Sequence, residues 1–297
     1  MSNQRVISAA LCAAFILTGS AFAEDAAKTK VLFIAGNPSH GPGDHEHRAG
    51  CMLLAKKLEE GMPNIDAEVS WYSWPKDEKV FDGVAAVVMY CDGGDGHYAN
   101  KHLDFIQNLV DKKVGIVCLH YGVEVPKSPS GEKFLQWIGG YFEAHWSVNP
   151  HWDAEFKSLP DHPITRGVSP FGTNDEWYYH MRFPEDMKGV TPILTALPPA
   201  STLVREDGPH SGNPAVRAAV AAGEPQHVAW AIERPDGGRG FGFTGGHFHR
   251  GWKNDMQRKL VLNAIAWAAQ VEVPTNGIAT ATPSDEEMKE NLDEKKK

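Results

Sequence analysis

Apolar residues in the first half of the chain fall into short uninterrupted runs, separated by polar, glycine-rich and proline-rich breaks. Lys30–Ala35 (KVLFIA) stops at Gly36-Asn37-Pro38 and reads as a buried strand opening into a loop. From about His47 to Glu60 the apolar positions Cys51, Leu54, Ala55 and Leu58 have helical spacing. Ala67–Tyr72 predicts a second strand. Val84–Tyr90 (VAAVVMY) predicts a third, without the alternation expected of a half-exposed strand, and so covered on both faces. His102–Val110 repeats apolar residues at i, i+3, i+4 and i+7 and predicts a helix; Val114–Leu119 (VGIVCL) predicts a fourth strand. Strands alternating with helices imply a doubly wound, flavodoxin-like α/β fold, with a parallel sheet and helices on both faces. The second half is less regular. Aromatic, proline-punctuated pieces run from Tyr141 to Tyr179, short strands are expected near 191–196, 227–233 and 239–244, and a helix from about Asn254 to Gln270.

The ends read differently. Arg5, an apolar run from Val6 to Thr18, and Ala21-Phe22-Ala23 make residues 1–23 a signal peptide, the run being too short to span a bilayer. Export, to a periplasm or out of the cell, follows from that reading, and no later run is long enough to span a membrane. One domain is expected over residues 28–272. Residues 273–297, rich in Thr, Pro and Ala and then charged, read as a disordered tail. With 29 basic against 38 acidic side chains and no basic block, the composition argues against nucleic acid as a partner, and it leaves a homo-oligomer open. Cys51, Cys91 and Cys118 have no CxxC spacing; Cys91 and Cys118 close apolar runs and read as buried thiols.

In an open parallel sheet, ligands bind beyond the carboxyl ends of the strands. Polar residues should therefore gather just after each apolar run, and they do: Asn37, Ser39, His40, Asp44, His45 and His47 after the first strand, Asp92, Asp95 and His97 after the third, His120 and Tyr121 after the fourth, and His247 and His249 after 241–244. His120 closes a buried strand where a sharp turn would present it at the rim. His247 and His249, two apart, would share one face if extended and could bind a divalent ion such as Zn; solvated surface rings are the alternative. On helical geometry His45 and His47 would point about 200° apart, which weakens joint ligation by that pair. Glu176, among aromatics, suits general acid or base work, whereas Asp161 could place a substrate or only pair with an arginine. The loop 36–43 matches neither a dinucleotide nor a triphosphate motif.

Several of these stretches, in this order, resemble the ThuA-like (trehalose utilisation) family, whose fold is similar to class I glutamine amidotransferases: Val31–His47, the strand ending in His120, Asp161-His162-Pro163-Ile164 with Gly167, Asp175-Glu176 with Tyr178, and the closing Gly238–Ala268 segment with Gly245-Gly246-His247. The resemblance implies a small carbohydrate substrate, a trehalose-like disaccharide or its keto derivative, handled by hydrolysis, elimination or isomerisation. His120 and Glu176 are then the expected proton-transfer groups, with His40, Asp92, Tyr121, Asp161, Tyr178 and His247 on the substrate. A non-catalytic sugar-binding or interaction domain is the alternative. Amidotransferases centre a cysteine in the elbow; here His120 is central and Cys118 lies within the strand, which argues against thiolate chemistry.

Overall fold

The computed structural model describes residue 1 and residues 27–295; the expected signal peptide lies almost wholly outside the described residues. In chain order the elements are β1 (Thr29–Ala35), α1 (His47–Gly61), β2 (Ile65–Trp71), β3 (Val84–Tyr90), α2 (Leu103–Asp111), β4 (Gly115–Leu119), α3 (Glu132–Trp137), β5 (Trp152–Phe156), β6 (Phe171–Asp175), β7 (Val190–Ala196), α4 (Pro214–Ala221), β8 (Gln226–Glu233), β9 (Arg239–Phe243) and α5 (Asp255–Ala268). Seven strands form one sheet in the order β2-β1-β3-β4-β9-β8-β7, and β5 and β6 pair separately. The five strands from β2 to β9 run parallel, as the alternating pattern predicts. β8 is antiparallel to both of its neighbours, so the far edge departs from an all-parallel sheet.

The uninterrupted strands are uninterrupted because both faces are covered. Val31, Phe33, Val88, Tyr90, Val117 and Phe243 pack on the side of α1 and α5. Leu32, Ile34, Val87, Met89, Ile116 and Cys118 pack on the side of α2 and α3. Asn254 sets the start of α5: its side chain accepts from the backbone N–H groups of Met256 and Gln257 at 3.0 and 3.1 Å. Cys51, Cys91 and Cys118 are free and buried, and burial pushes all three thiols up, which keeps them protonated. No described helix is long and apolar enough to cross a membrane.

Residues 273–295 are not the disordered tail that their composition predicts. Ile278 is fully buried and its N–H donates to Asn263 Oδ1 at 2.8 Å; Met288 is also buried. Glu287 pairs with Lys56 and Lys57 of α1 at 2.9 and 3.1 Å. Asp293 accepts from the Tyr72 hydroxyl at 2.6 Å, and Lys295, itself buried, pairs with buried Glu46 at 3.2 Å. The anchors are few and aperiodic, so polarity hides them.

Strand order reverses between β1 and β3, since α1 carries the chain to β2 on one side and the later strands extend the sheet on the other. A crevice is expected at the carboxyl ends of strands there. The loops after β1, β3, β4 and β9 meet at that place.

Candidate metal centre

His45, His120, Glu176 and His247 come together there, with one nitrogen or oxygen from each lying within 4.8 Å of all the others. The pairwise distances are short. His45 Nε2 lies 3.0 Å from His120 Nε2 and 3.0 Å from His247 Nδ1. Glu176 Oε2 lies 3.0 Å from His247 Nδ1 and 3.5 Å from His120 Nε2. Donors about 2 Å from a common ion in tetrahedral array are spaced at about this distance from one another.

Local backbone explains how four separate segments reach one point. His120 follows β4 with φ +52°, and His45 precedes α1 with φ +46°; both are left-handed conformations that non-glycine residues rarely adopt. Gly36, after β1, has no room for a side chain: a Cβ there would lie 2.7 Å from both the Cys91 Cα and His47 Nδ1. Gly246 at φ +102° turns the chain into His247. Fully buried Asp175 holds that turn, accepting from the N–H groups of Gly246 at 2.8 Å and His247 at 3.0 Å. Burial pushes its pKa up to about 6 against the pull of those donors.

The outer hydrogen bonds fix which nitrogens are bare. His120 Nδ1 faces the Thr244 carbonyl at 2.8 Å, and a carbonyl can only accept, so Nδ1 carries the proton. His45 Nδ1 likewise donates to Asp92 Oδ1 at 2.9 Å. Both Nε2 atoms of the neutral rings therefore aim lone pairs at one another across 3.0 Å. Such an arrangement repels unless a proton or a cation sits between. Burial, reinforced by the neighbouring histidines, pulls the pKa of His45 and His120 well down, so protonation at neutral pH does not relieve it. Burial also opposes charge on His247, but its hydrogen bond to Glu176, with the charges of Asp44 and Asp175, raises its pKa overall. A divalent cation meets every requirement of this donor set: three imidazoles, one carboxylate, and an acceptor behind two of the rings.

Residues expected from the sequence divide into three groups. His120, Glu176 and His247 form the centre together with His45, one of the polar residues after the first strand. α1 begins at His47, so His45 lies just outside the helix, and His47 does not join the centre. Asp92, Tyr178, Tyr121 and His40 surround it: the Tyr178 hydroxyl is 3.2 Å from His120 Nε2, the Tyr121 ring centroid is 5.8 Å from that of His45, and the exposed His40 ring stacks on His45 at 3.6 Å. Asp161 and His249 are elsewhere. Exposed Asp161 neighbours His162, whose ring meets Trp267 near the opposite rim. His249 does not join His247: a 3-10 turn begins at His249, and its ring lines a separate cleft with Met288 and Leu292. His151 was missed. It is half-exposed, 3.7 Å from Glu176 Oε1 and 4.9 Å between ring centroids from His247, and it lines a cleft of ≈ 290 Å³ opening on Glu176. A cleft of ≈ 570 Å³ lies at the opposite rim beside Arg239 and Trp267, and its lining holds only one histidine, His162.

The ThuA family model, described as "Trehalose utilisation", matches residues 30–268. The chain belongs to the ThuA family. A carbohydrate-related role follows at that coarse level. Crystal structures of two ThuA-like proteins share its fold. One, from Bacteroides uniformis ATCC 8492, aligns with a TM-score of 0.57 at 17% identity, over 82% of this chain and 92% of its own. The other, from Parabacteroides merdae ATCC 43184, aligns at 0.53 and 16%, over 87% and 94% respectively. No curated protein sequence matches. At these identities the ThuA likeness in structure shows the fold, and the chemistry rests on the residues above.

Proposed function

We propose that this ThuA-family protein is a metal-dependent enzyme acting on a trehalose-like disaccharide or its keto derivative. One observation carries the reading: two buried, neutral imidazoles present lone pairs to each other at 3.0 Å beside a third imidazole and a carboxylate. When bound, a divalent ion would supply Lewis-acid polarisation of a substrate carbonyl or hydroxyl oxygen. His45, His120, His247 and Glu176 would hold it, which moves His120 and Glu176 from the expected proton-transfer role to a holding one.

Other side chains are then left to move protons. Burial, the larger influence, lowers the His151 pKa against the pull of Glu176. His151 is therefore a neutral base at pH 7, half-open to solvent at the mouth of the cleft. Burial raises the Tyr178 pKa, so its phenol stays protonated and can donate to an oxygen that gains charge. A ketone two carbons from the glycosidic carbon acidifies the C–H between them; His151 would take that proton, the C=C bond would form as the glycosidic C–O bond breaks, and the departing oxygen would take up a proton. Export through cleavage after Ala23 belongs to this reading, and N-terminal sequencing of the mature protein reads it out.

Elemental analysis of the purified protein, paired with turnover of keto-trehalose before and after chelation, tests the proposal. About one equivalent of a divalent metal, with activity lost on chelation and restored on adding metal, is expected. A metal-free protein that is equally active would remove the metal centre. Sugar binding with no product under any metal would favour the non-catalytic alternative.

A further inference from the structure

Beside the metal centre lies a second cleft of ≈ 430 Å³, whose walls include Asp95, Tyr121, Glu124, Lys127, Glu143 and His210. Tyr121 belongs to both places, since its ring stands 5.8 Å from His45. Three polar groups of this cleft are held in place. Buried Glu124 accepts from His210 Nε2 at 2.9 Å, and the His210 ring stacks on Phe142 at 5.4 Å. Glu143 is fixed by two hydrogen bonds from Arg182, at 2.9 and 3.0 Å, and one from Tyr141 at 2.7 Å. Gly94 turns the wall with φ +64°, a left-handed conformation that favours glycine. Apart from Tyr121, none of these groups reaches the metal centre.

This set of side chains defines a kind of ligand. Acceptors (Asp95, Glu124 and Glu143) and donors (Lys127, His210 and the Tyr121 hydroxyl) line one hollow. Three carboxylates facing one lysine and one histidine disfavour a phosphate or carboxylate ligand. Val125, Pro126 and Ala144 add apolar wall between these groups, a mixture matched by the C–H faces and hydroxyls of a sugar ring. A neutral ring bearing several hydroxyls, each both donor and acceptor, satisfies both kinds of group. We infer that this cleft is a second saccharide subsite, centred on the Glu124–His210 pair, which holds the outer ring of a disaccharide whose other ring lies at the metal centre. The inference rests on the proposed carbohydrate reading and narrows it: the substrate is a two-ring sugar, selected over a monosaccharide.

Calorimetry on the zinc-loaded full protein, with trehalose and glucose as probes, tests this. Wild type should bind trehalose at least ten-fold more tightly than glucose. His210→Ala, and independently Lys127→Ala at an exposed position that folding tolerates, should bring that ratio toward one, with zinc content held at the wild-type level. Equal affinities in wild type, or a ratio unmoved in both variants, would overturn the subsite and leave the metal-centre reading standing. Failure to bind either sugar would overturn the carbohydrate reading and the subsite together.

Discussion

Zinc-dependent stabilisation should separate the four-residue centre from the His247/His249 pair suggested by sequence. A ligand that binds only the folded state adds RT ln(1 + [L]/Kd), about 2.7 kcal/mol at a free concentration one hundred times Kd. For a domain of this size each kcal/mol raises Tm by about 2–4 °C, so zinc should raise the wild-type Tm by about 5–10 °C. His120→Ala removes a fully buried donor at the middle of the cluster, 3.0 Å from His45 Nε2 and 3.5 Å from Glu176 Oε2. The variant will melt lower because a buried ring is lost, but that loss is present with or without the ion. The quantity that matters is therefore the zinc-induced shift, read by differential scanning fluorimetry at matched free zinc after chelator treatment. The shift should fall to near zero in His120→Ala and His45→Ala and persist in His249→Ala. A full shift in His120→Ala, or its loss in His249→Ala alone, would refute the assignment of ligands.

Four further outcomes are expected. Asp92→Asn weakens the acceptor behind His45, and zinc affinity should drop about 10–100-fold in a chelator competition assay; an unchanged affinity would show that Asp92 does not orient the ring. His151→Ala should reduce kcat on keto-trehalose about 10²–10⁴-fold while zinc content stays constant, and equal loss of zinc would instead make His151 a support of the centre. In metal-free protein, stability should fall as pH drops below about 6.5, the ordinary histidine value. Burial holds His97 and His47 at about 4, so the unfolded chain takes up protons that the folded one refuses, at about 1.4 kcal/mol per pH unit for each such ring. Asp175, raised to about 6, and His210 and His247, also raised, work in the opposite sense but are outnumbered by the buried rings held low, His45 and His120 among them; urea unfolding at pH 7 and 5.5 with equal midpoints would contradict the balance. Lys295→Met leaves Glu46 buried without its cation and should cost about 3–5 kcal/mol in urea unfolding, whereas a negligible change would return residues 273–295 to a loose tail.

The sequence alone determined the parallel core of the sheet and the edge where chemistry would gather. That information is local: each strand is a continuous apolar run, and each run ends at a break carrying polar residues. It also placed His120 and His247 among the candidates, because each lies within a few residues of such an ending, and Glu176 because of its aromatic neighbours. What it could not supply was distance. His45 stood among the polar residues after the first strand without being singled out, and its left-handed backbone is tied to His247, whose carbonyl accepts from the His45 N–H. Helix or strand periodicity cannot encode that conformation. His249 was preferred by its spacing from His247, yet the turn after Phe248 sends it beneath the C-terminal segment. The same segment looked unstructured because its docking depends on complementary charges of α1 and on isolated apolar anchors. Only folding, by bringing residues 45, 120, 176 and 247 from four loops to one point, decides which imidazoles face an ion and which merely fill space.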